Sequence, residues 1–287
     1  MSRRASRFTL ALLLSLFAGR LAAAEPQIAF VPASPRPGEA VFMTFHPEKE
    51  LLRAACSWCG ESYRFLQGAD TYGLTLPVPM TEKPGERRAT VYWKYRDGEM
   101  GKTTLVLEIA PRTFGVQHLK LSRTQEQTYS APETERERKL IGAALDRVTA
   151  ERHWRGSFIL PVEGRVSTEY GLQRYVSKRL TYRHRGVDIA APEGTPVRAA
   201  GAGVVSLADA SFVLHGQTVI LDHGQGVATL YIHLSAIEVG EGDSVQQGQI
   251  IGGVGATGVA TGPHLHFAVY AYHEALDPFF WTQLPTG

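Results

Sequence analysis

The chain runs to 287 residues, 44% of them hydrophobic, with 30 Lys and Arg against 28 Asp and Glu. That length accommodates one large domain or two ordinary ones. Setting aside the four arginines among residues 1–24 leaves 26 basic against 28 acidic residues, a balance that excludes recruitment of nucleic acid or an anionic membrane surface by bulk positive charge.

Residues 1–24 read as a secretory signal peptide. Arg3, Arg4 and Arg7 precede an apolar run from Phe8 to Ala18, and Ala22-Ala23-Ala24 offers small residues for cleavage ahead of Glu25. The run is short for a bilayer span, Arg20 follows it, and no later stretch has the length and apolarity of a transmembrane helix. The mature chain is expected to be exported, to the periplasm, the cell envelope or the extracellular space.

Residues 25–112 carry short strand signals broken by Pro and Gly: Ile28–Val31, Val41–Phe45, Tyr63–Leu66, Tyr72–Leu76, Ala89–Tyr95 and Thr103–Ile109. Asp97-Gly98 separates the last two, and both residues tolerate the positive φ of a type I′ hairpin turn. This spacing predicts a small β-sandwich of immunoglobulin-like type. No residue pattern in it points to chemistry, so it reads as a spacer or recognition module whose partner is not legible. Its two cysteines, Cys56 and Cys59 in Cys-Ser-Trp-Cys, are expected to form a small-loop disulfide in an exported chain. A thioredoxin-like role would want a helix after the pair, and a metal site would want two more ligands nearby.

Residues 113–155 read as a linker strand and helix. Ser130 can cap the helix, Pro132 suits its first turn and Glu133 completes a capping box. Leu140, Ile141, Ala144, Leu145 and Val148 form one narrow apolar stripe on a charged helix ending near Arg152. One stripe packs against a domain; it does not make a long coiled coil.

Residues 156–287 form a second, mostly β domain rich in Gly, Val and Ile. It contains two echoes, Glu193-Gly194-Thr195-Pro196-Val197 and Glu241-Gly242-Asp243-Ser244-Val245, each followed by a glycine-punctuated strand. Sheets folded back on each other around glycine corners would produce such echoes. After Leu180 only Arg183, Arg185 and Arg198 oppose nine carboxylates, so this domain too lacks a basic surface.

Its chemistry gathers in histidines. His264 and His266 are two apart in a strand-forming run, so both rings project from one face with Leu265 opposite. The pair alone is weak evidence for a metal. His184 and Asp188, four apart with Gly186 between, can converge as the chain turns into a strand, and with His266 they give two imidazoles and one carboxylate. Three protein ligands with an open fourth position mark catalytic rather than structural zinc. His233, on an apolar strand, could taken alone be a hydrogen-bonded core histidine.

The runs Tyr182-Arg183-His184-Arg185-Gly186-Val187-Asp188, Gly194-Thr195-Pro196-Val197, Tyr231-Ile232-His233-Leu234 and Gly262-Pro263-His264-Leu265-His266-Phe267 resemble the lysostaphin-type, or LytM-like, zinc endopeptidases. The resemblance covers the stretch from Phe158 to Trp281 and leaves the β-module and linker outside it. It implies an antiparallel β peptidase domain with one Zn2+ held by His184, Asp188 and His266, and with His233 and His264 as catalytic histidines. Either ring could act as base while the other stabilises charge or protonates the leaving amine. The implied substrate is peptidoglycan, cut at its peptide cross-links as a D,D-endopeptidase; the alternatives are a glycyl-glycine cross-bridge endopeptidase and a non-catalytic activator of a cell-wall amidase. A lipoyl-type carrier would need an anchoring lysine, and none follows Lys178. The remaining histidines (His46, His118, His153, His215, His223, His273) match no motif; surface or loop positions are expected for them, with His215 and His223 possible at the cleft rim.

Overall fold

A computed structural model describes residues 25–68, 71–119, 132–176 and 179–285. The expected leader and the expected cap, Ser130, fall outside the described residues. The chain opens with β1 (Gln27–Val31), β2 (Ala40–His46), β3 (Leu51–Trp58), β4 (Glu61–Arg64), β5 (Leu66–Gln67), β6 (Tyr72–Pro77), β7 (Gly85–Tyr95) and β8 (Met100–Ile109). They make two four-stranded sheets, β1-β2-β6-β5 and β4-β3-β7-β8. A period of two turns Val41, Met43 and Phe45 inward from one sheet and Ala54, Cys56, Trp58, Val91, Leu107 and Ile109 inward from the other. The region is a β-sandwich, as its strand spacing predicts.

One strand has no counterpart among the expected ones, and two local expectations are corrected. The strand β3 carries no strong β-forming run, and it forms because β4 and β7 pair with it on either side. The β7–β8 hairpin does turn at Asp97-Gly98, but only Gly98 is left-handed (φ 93). Its N–H donates to the Tyr95 carbonyl (3.2 Å) and the Tyr95 N–H to the Glu99 carbonyl (2.8 Å), giving a three-residue loop in place of type I′. The expected disulfide does not form, and both cysteines are free thiols. Cys56 points into the sandwich core, whereas Cys59 sits exposed in the β3–β4 turn with its thiol 3.2 Å from Glu82 Oε2. Cys59 lies past the end of β3 as a left-handed turn residue (φ 49), outside the alternation that turns Cys56 inward.

Next come β9 (Val116–Leu119) and α1 (Pro132–Leu145). The helix stops well short of Arg152, because the segment after it is tied to the following domain: the Gln225 N–H donates to the Thr149 carbonyl (2.7 Å), and Thr149 Oγ1 to Asp222 (3.0 Å). Val148 is accordingly exposed. The buried face of α1 instead extends towards its start through Thr134 and Glu137 to Ile141, Ala144 and Leu145.

The C-terminal region contains β10 (Arg165–Thr168), β11 (Gln173–Val176), β12 (Arg179–Arg183), β13 (Val187–Ala190), β14 (Pro196–Arg198), β15 (Gly203–Asp209), β16 (Gln217–Gly224) and β17 (Val227–Ile237). It ends with β18 (Ser244–Val245), β19 (Ile250–Val254), β20 (His264–Ala271), β21 (Glu274–Leu276) and α2 (Pro278–Thr282). The main sheet has the order β10-β13-β20-β17-β16-β15-β18, with β14 and β19 paired beside it and β21 on β20. A smaller sheet, β12-β11-β9, recruits the expected linker strand in parallel to β11.

The two sequence echoes pair crosswise. The short strand of the first, β14, lies on β19 of the second, and the short strand of the second, β18, lies on β15 of the first. Their turns bond in matching fashion: Gly194 N–H to the Val254 carbonyl (2.8 Å) and Gly242 N–H to the Val205 carbonyl (2.9 Å). Each echo thus completes the other's sheet.

The β-sandwich is docked on this region. Phe42 of β2 stacks on Phe280, meets Trp281 edge-on and lies tilted against Trp154, at ring separations of 5.6 to 6.1 Å. Ala40 and Met80 belong to the C-terminal core cluster. The Arg112 guanidinium donates to the Pro37 carbonyl (3.1 Å) and pairs with the Asp277 carboxylate. Among the described residues no helix is long and apolar enough to cross a membrane.

Candidate metal centre

Strand pairing builds the site. In β20, Leu265 is fully buried while His264 and His266 share the other face. β13 lies alongside with Asp188 directly opposite His266, and β17 lies on the other flank with Ile232 opposite His266. His184 immediately precedes the turn into β13. Gly186 in that turn has no room for a side chain: a Cβ there would lie 2.3 Å from the Phe267 carbonyl oxygen and 2.9 Å from His266 Nε2.

Three side-chain atoms converge. His184 Nε2 lies 2.9 Å from His266 Nδ1 and 3.0 Å from Asp188 Oδ1, and His266 Nδ1 lies 2.8 Å from the same oxygen. The opposite nitrogen of His184 donates its Nδ1–H to the Glu169 carbonyl (2.9 Å), which leaves a lone pair on Nε2 in the neutral ring. Burial lowers the His266 pKa to about 4 against the pull of Asp188, so this ring too is neutral near pH 7. Burial opposes ionisation of Asp188, but the neighbouring His184 and His266 rings outweigh it and hold the carboxyl below the usual range.

Two imidazole nitrogens and one carboxylate oxygen therefore point at a common centre, an arrangement that a cation stabilises. The separations approach the roughly 3.3 Å edge of a tetrahedron with ~2.0–2.1 Å bonds, the geometry of zinc with His and Asp. Among the described residues this is the one group of three or more His, Cys, Asp or Glu side chains placed to hold a metal. The donor set fits zinc.

His233 and His264 stand beside this group with ring centroids 4.8 Å apart. His233 donates Nδ1–H to the Thr257 carbonyl and His264 donates Nδ1–H to the Gly262 carbonyl, each at 2.8 Å. That leaves Nε2 of each ring outside these backbone bonds. Burial, reinforced by His266 and His264, lowers the His233 pKa to about 3. His233 is also left-handed (φ 64), within the irregular pairing of β16 and β17. A non-glycine residue held there carries strain, which the surrounding structure must impose.

Sequence reasoning missed several supports. Arg174 of β11 approaches Asp188 Oδ2 (3.5 Å) while donating to the Tyr182 hydroxyl (2.6 Å) and to Gln117 of β9 (3.0 Å). The carbonyls of Glu169, Thr257 and Gly262 carry no signal in residue identity. Of the histidines outside the motifs, His223 is neither at the rim nor on the surface: it is fully buried between the Ala202 carbonyl and Thr229 Oγ1, both at 2.7 Å. His215 is tied to Glu137 of α1 (2.8 Å).

Comparison with known proteins agrees with this arrangement. Residues 182–278 match Peptidase family M23. The chain is 40% identical over 114 residues to the DD-carboxypeptidase/endopeptidase Mpg of Neisseria meningitidis serogroup B, covering 40% of this chain and 26% of that protein. It is 43% identical over 105 residues to the peptidoglycan DD-endopeptidase ShyA of Vibrio cholerae serotype O1, covering 36% and 24%. The match thus spans about a quarter of the length of these curated relatives. The crystal structure of a candidate peptidase M23 from Pseudomonas aeruginosa superposes with a TM-score of 0.64 at 26% identity, over 87% of this chain and 95% of that one, so the likeness extends through the β-sandwich. The C-terminal part of this chain is a Peptidase family M23 domain of the LytM type.

Proposed function

We propose that the protein is an exported, zinc-dependent endopeptidase that hydrolyses the peptide cross-links of peptidoglycan as a D,D-endopeptidase in the periplasm or cell envelope. The observation that carries this reading is the convergence of His184 Nε2, Asp188 Oδ1 and His266 Nδ1 within 3.0 Å of one another, with His233 and His264 alongside. The naming of relatives as a DD-carboxypeptidase/endopeptidase and a peptidoglycan DD-endopeptidase supports the substrate.

His184, Asp188 and His266 would hold the zinc, which when bound supplies Lewis acidity towards a carbonyl oxygen and a water molecule. The Glu169 carbonyl fixes the His184 ring, and Arg174 steadies the outer oxygen of Asp188. His233 and His264 have committed their Nδ1–H groups to backbone carbonyls, so Nε2 is the nitrogen each can offer to the reaction. A ring that takes a proton from water becomes an Nε2–H donor, able to stabilise the tetrahedral oxyanion or to protonate the leaving amine.

His233→Ala is expected to lower hydrolysis of cross-linked stem peptides about 10²–10⁴-fold, the usual contribution of a positioned acid–base group, with one zinc per chain retained. Native-rate cleavage by this variant would sink the mechanism. Mass spectrometry of fragments from peptidoglycans of defined cross-link separates the substrate readings. Release of D-alanyl termini supports D,D-cleavage, glycyl termini mark the cross-bridge activity, and no cleavage with stimulation of an amidase marks the non-catalytic one.

A further inference from the structure

The carboxylate of Glu137 is buried, 2% exposed, on a helix that lies outside the family match. It is not paired with a lysine or arginine in the described contacts; it accepts hydrogen bonds from three consecutive backbone amides. Oε1 takes the N–H groups of Val213 and Leu214, and Oε2 takes those of Leu214 (3.2 Å) and His215 (3.2 Å) together with the His215 ring Nδ1–H (2.8 Å). A buried carboxylate is stable only when such donors surround it.

The loop that it grips leads directly to His233. The His215 carbonyl accepts the His233 N–H (3.0 Å), and the Leu214 carbonyl accepts the Val259 N–H (2.9 Å). Thr257, whose carbonyl holds the His233 ring, takes the Gln217 N–H on its hydroxyl (3.0 Å) and donates that hydroxyl to the Leu234 carbonyl (2.6 Å). Gly216 packs so closely on Thr257 that a Cβ would lie 2.3 Å from its Oγ1. The loop 213–217 and the segment 257–259 thus enclose both sides of His233, whose left-handed backbone needs such enforcement.

We infer that Glu137 is a positioning residue for His233, so that helix α1 forms part of the catalytic wall of the domain that follows it. By fixing the three amides of residues 213–215 it sets the His215 carbonyl and the packing against Thr257, and these together hold the His233 ring in the Nδ1–H tautomer with Nε2 free. The inference rests on the proposed role of His233. A misplacement of a catalytic group by about 1 Å costs on the order of 10²-fold in rate.

The test uses the mature, zinc-loaded chain with Glu137→Ala, Glu137→Gln and His233→Ala. Kinetics are measured on a purified cross-linked stem-peptide dimer, and the His233 ring tautomer is read from its imidazole ¹⁵N shifts. Glu137→Ala is expected to lower kcat about 10–100-fold while KM stays within about twofold, zinc remains stoichiometric and the His233 ring becomes a mixture of tautomers. Glu137→Gln keeps one acceptor oxygen and is expected to fall between it and the wild type; it decides the matter should the alanine chain not fold. A folded variant with native kcat and a single Nδ1–H tautomer overturns the inference, as does a loss of kcat with the tautomer unchanged. If His233→Ala is itself fully active, the reading of the site fails; if it is inactive while the Glu137 variants are native, only the role of Glu137 fails.

Discussion

The β-sandwich and the C-terminal domain are both β-structures, yet they bury different side chains. Among the described residues before 113, the one buried polar or charged side chain is Thr75. The later part of the chain buries Glu137, His184, Asp188, Asp222, His223 and His233 among others. Each buried polar group costs stability unless it is partnered, and most of these have partners at 2.7–3.0 Å. A core assembled for packing alone keeps none of them. The contrast falls on the side of the molecule that also holds His184, Asp188, His233, His264 and His266.

The strongest attempt to break this contrast is Asp188→Ala, which removes the oxygen shared by both histidines. Zinc per chain is expected to fall from one to near zero and wall hydrolysis to background; a variant that still holds stoichiometric zinc refutes the site. On the other side of the comparison, Trp58 is 1% exposed and donates its Nε1–H to the Pro77 carbonyl (2.8 Å). Trp58→Ala is expected to cost about 3–5 kcal/mol in denaturant unfolding while each folded chain still binds one zinc. If zinc affinity falls with it, the sandwich takes part in the site.

The smallest effect concerns His223, whose pKa burial lowers to about 4, with Ala202 pulling the other way. The unfolded chain protonates near pH 6.5, so between there and pH 4 it binds the proton that the folded chain refuses. This contribution is therefore full above pH 6.5 and declines as pH falls towards 4. A drop of about 2 kcal/mol is expected between pH 7 and pH 5, reduced in His223→Gln. Equal pH dependence in the two chains would place the acid sensitivity elsewhere.

How far the sequence could be read differs along the same division. Strands such as β2 and β7 announce themselves through alternating β-branched and aromatic residues, but Leu51–Trp58 hides in alanine and arginine and owes its conformation to its neighbours. The helix was legible from its apolar stripe, though not its end, which tertiary hydrogen bonds set at Leu145. His184, Asp188 and His266 could be grouped from residue type and spacing, whereas the expectation for His233 and His264 came from the family resemblance; the structure places the first three within reach of one another and His233 against His264. Arg174 and Glu137 were not legible. Each acts across 14 and 76 or more positions respectively, through contacts that no local pattern encodes. Glu137 left one trace, a charge four residues before Ile141 on the buried face of the helix.

The crosswise pairing of the echoes has a consequence for the order in which the molecule comes into being. His266 joins Asp188 across 78 positions and His184 across 82, and β15 has no β18 beside it until residue 245 exists. Closing such distant pairings is entropically uphill and slow. A nascent chain therefore carries His184 and Asp188 without their partner, and the three-residue cluster is completed only once His266 has been added.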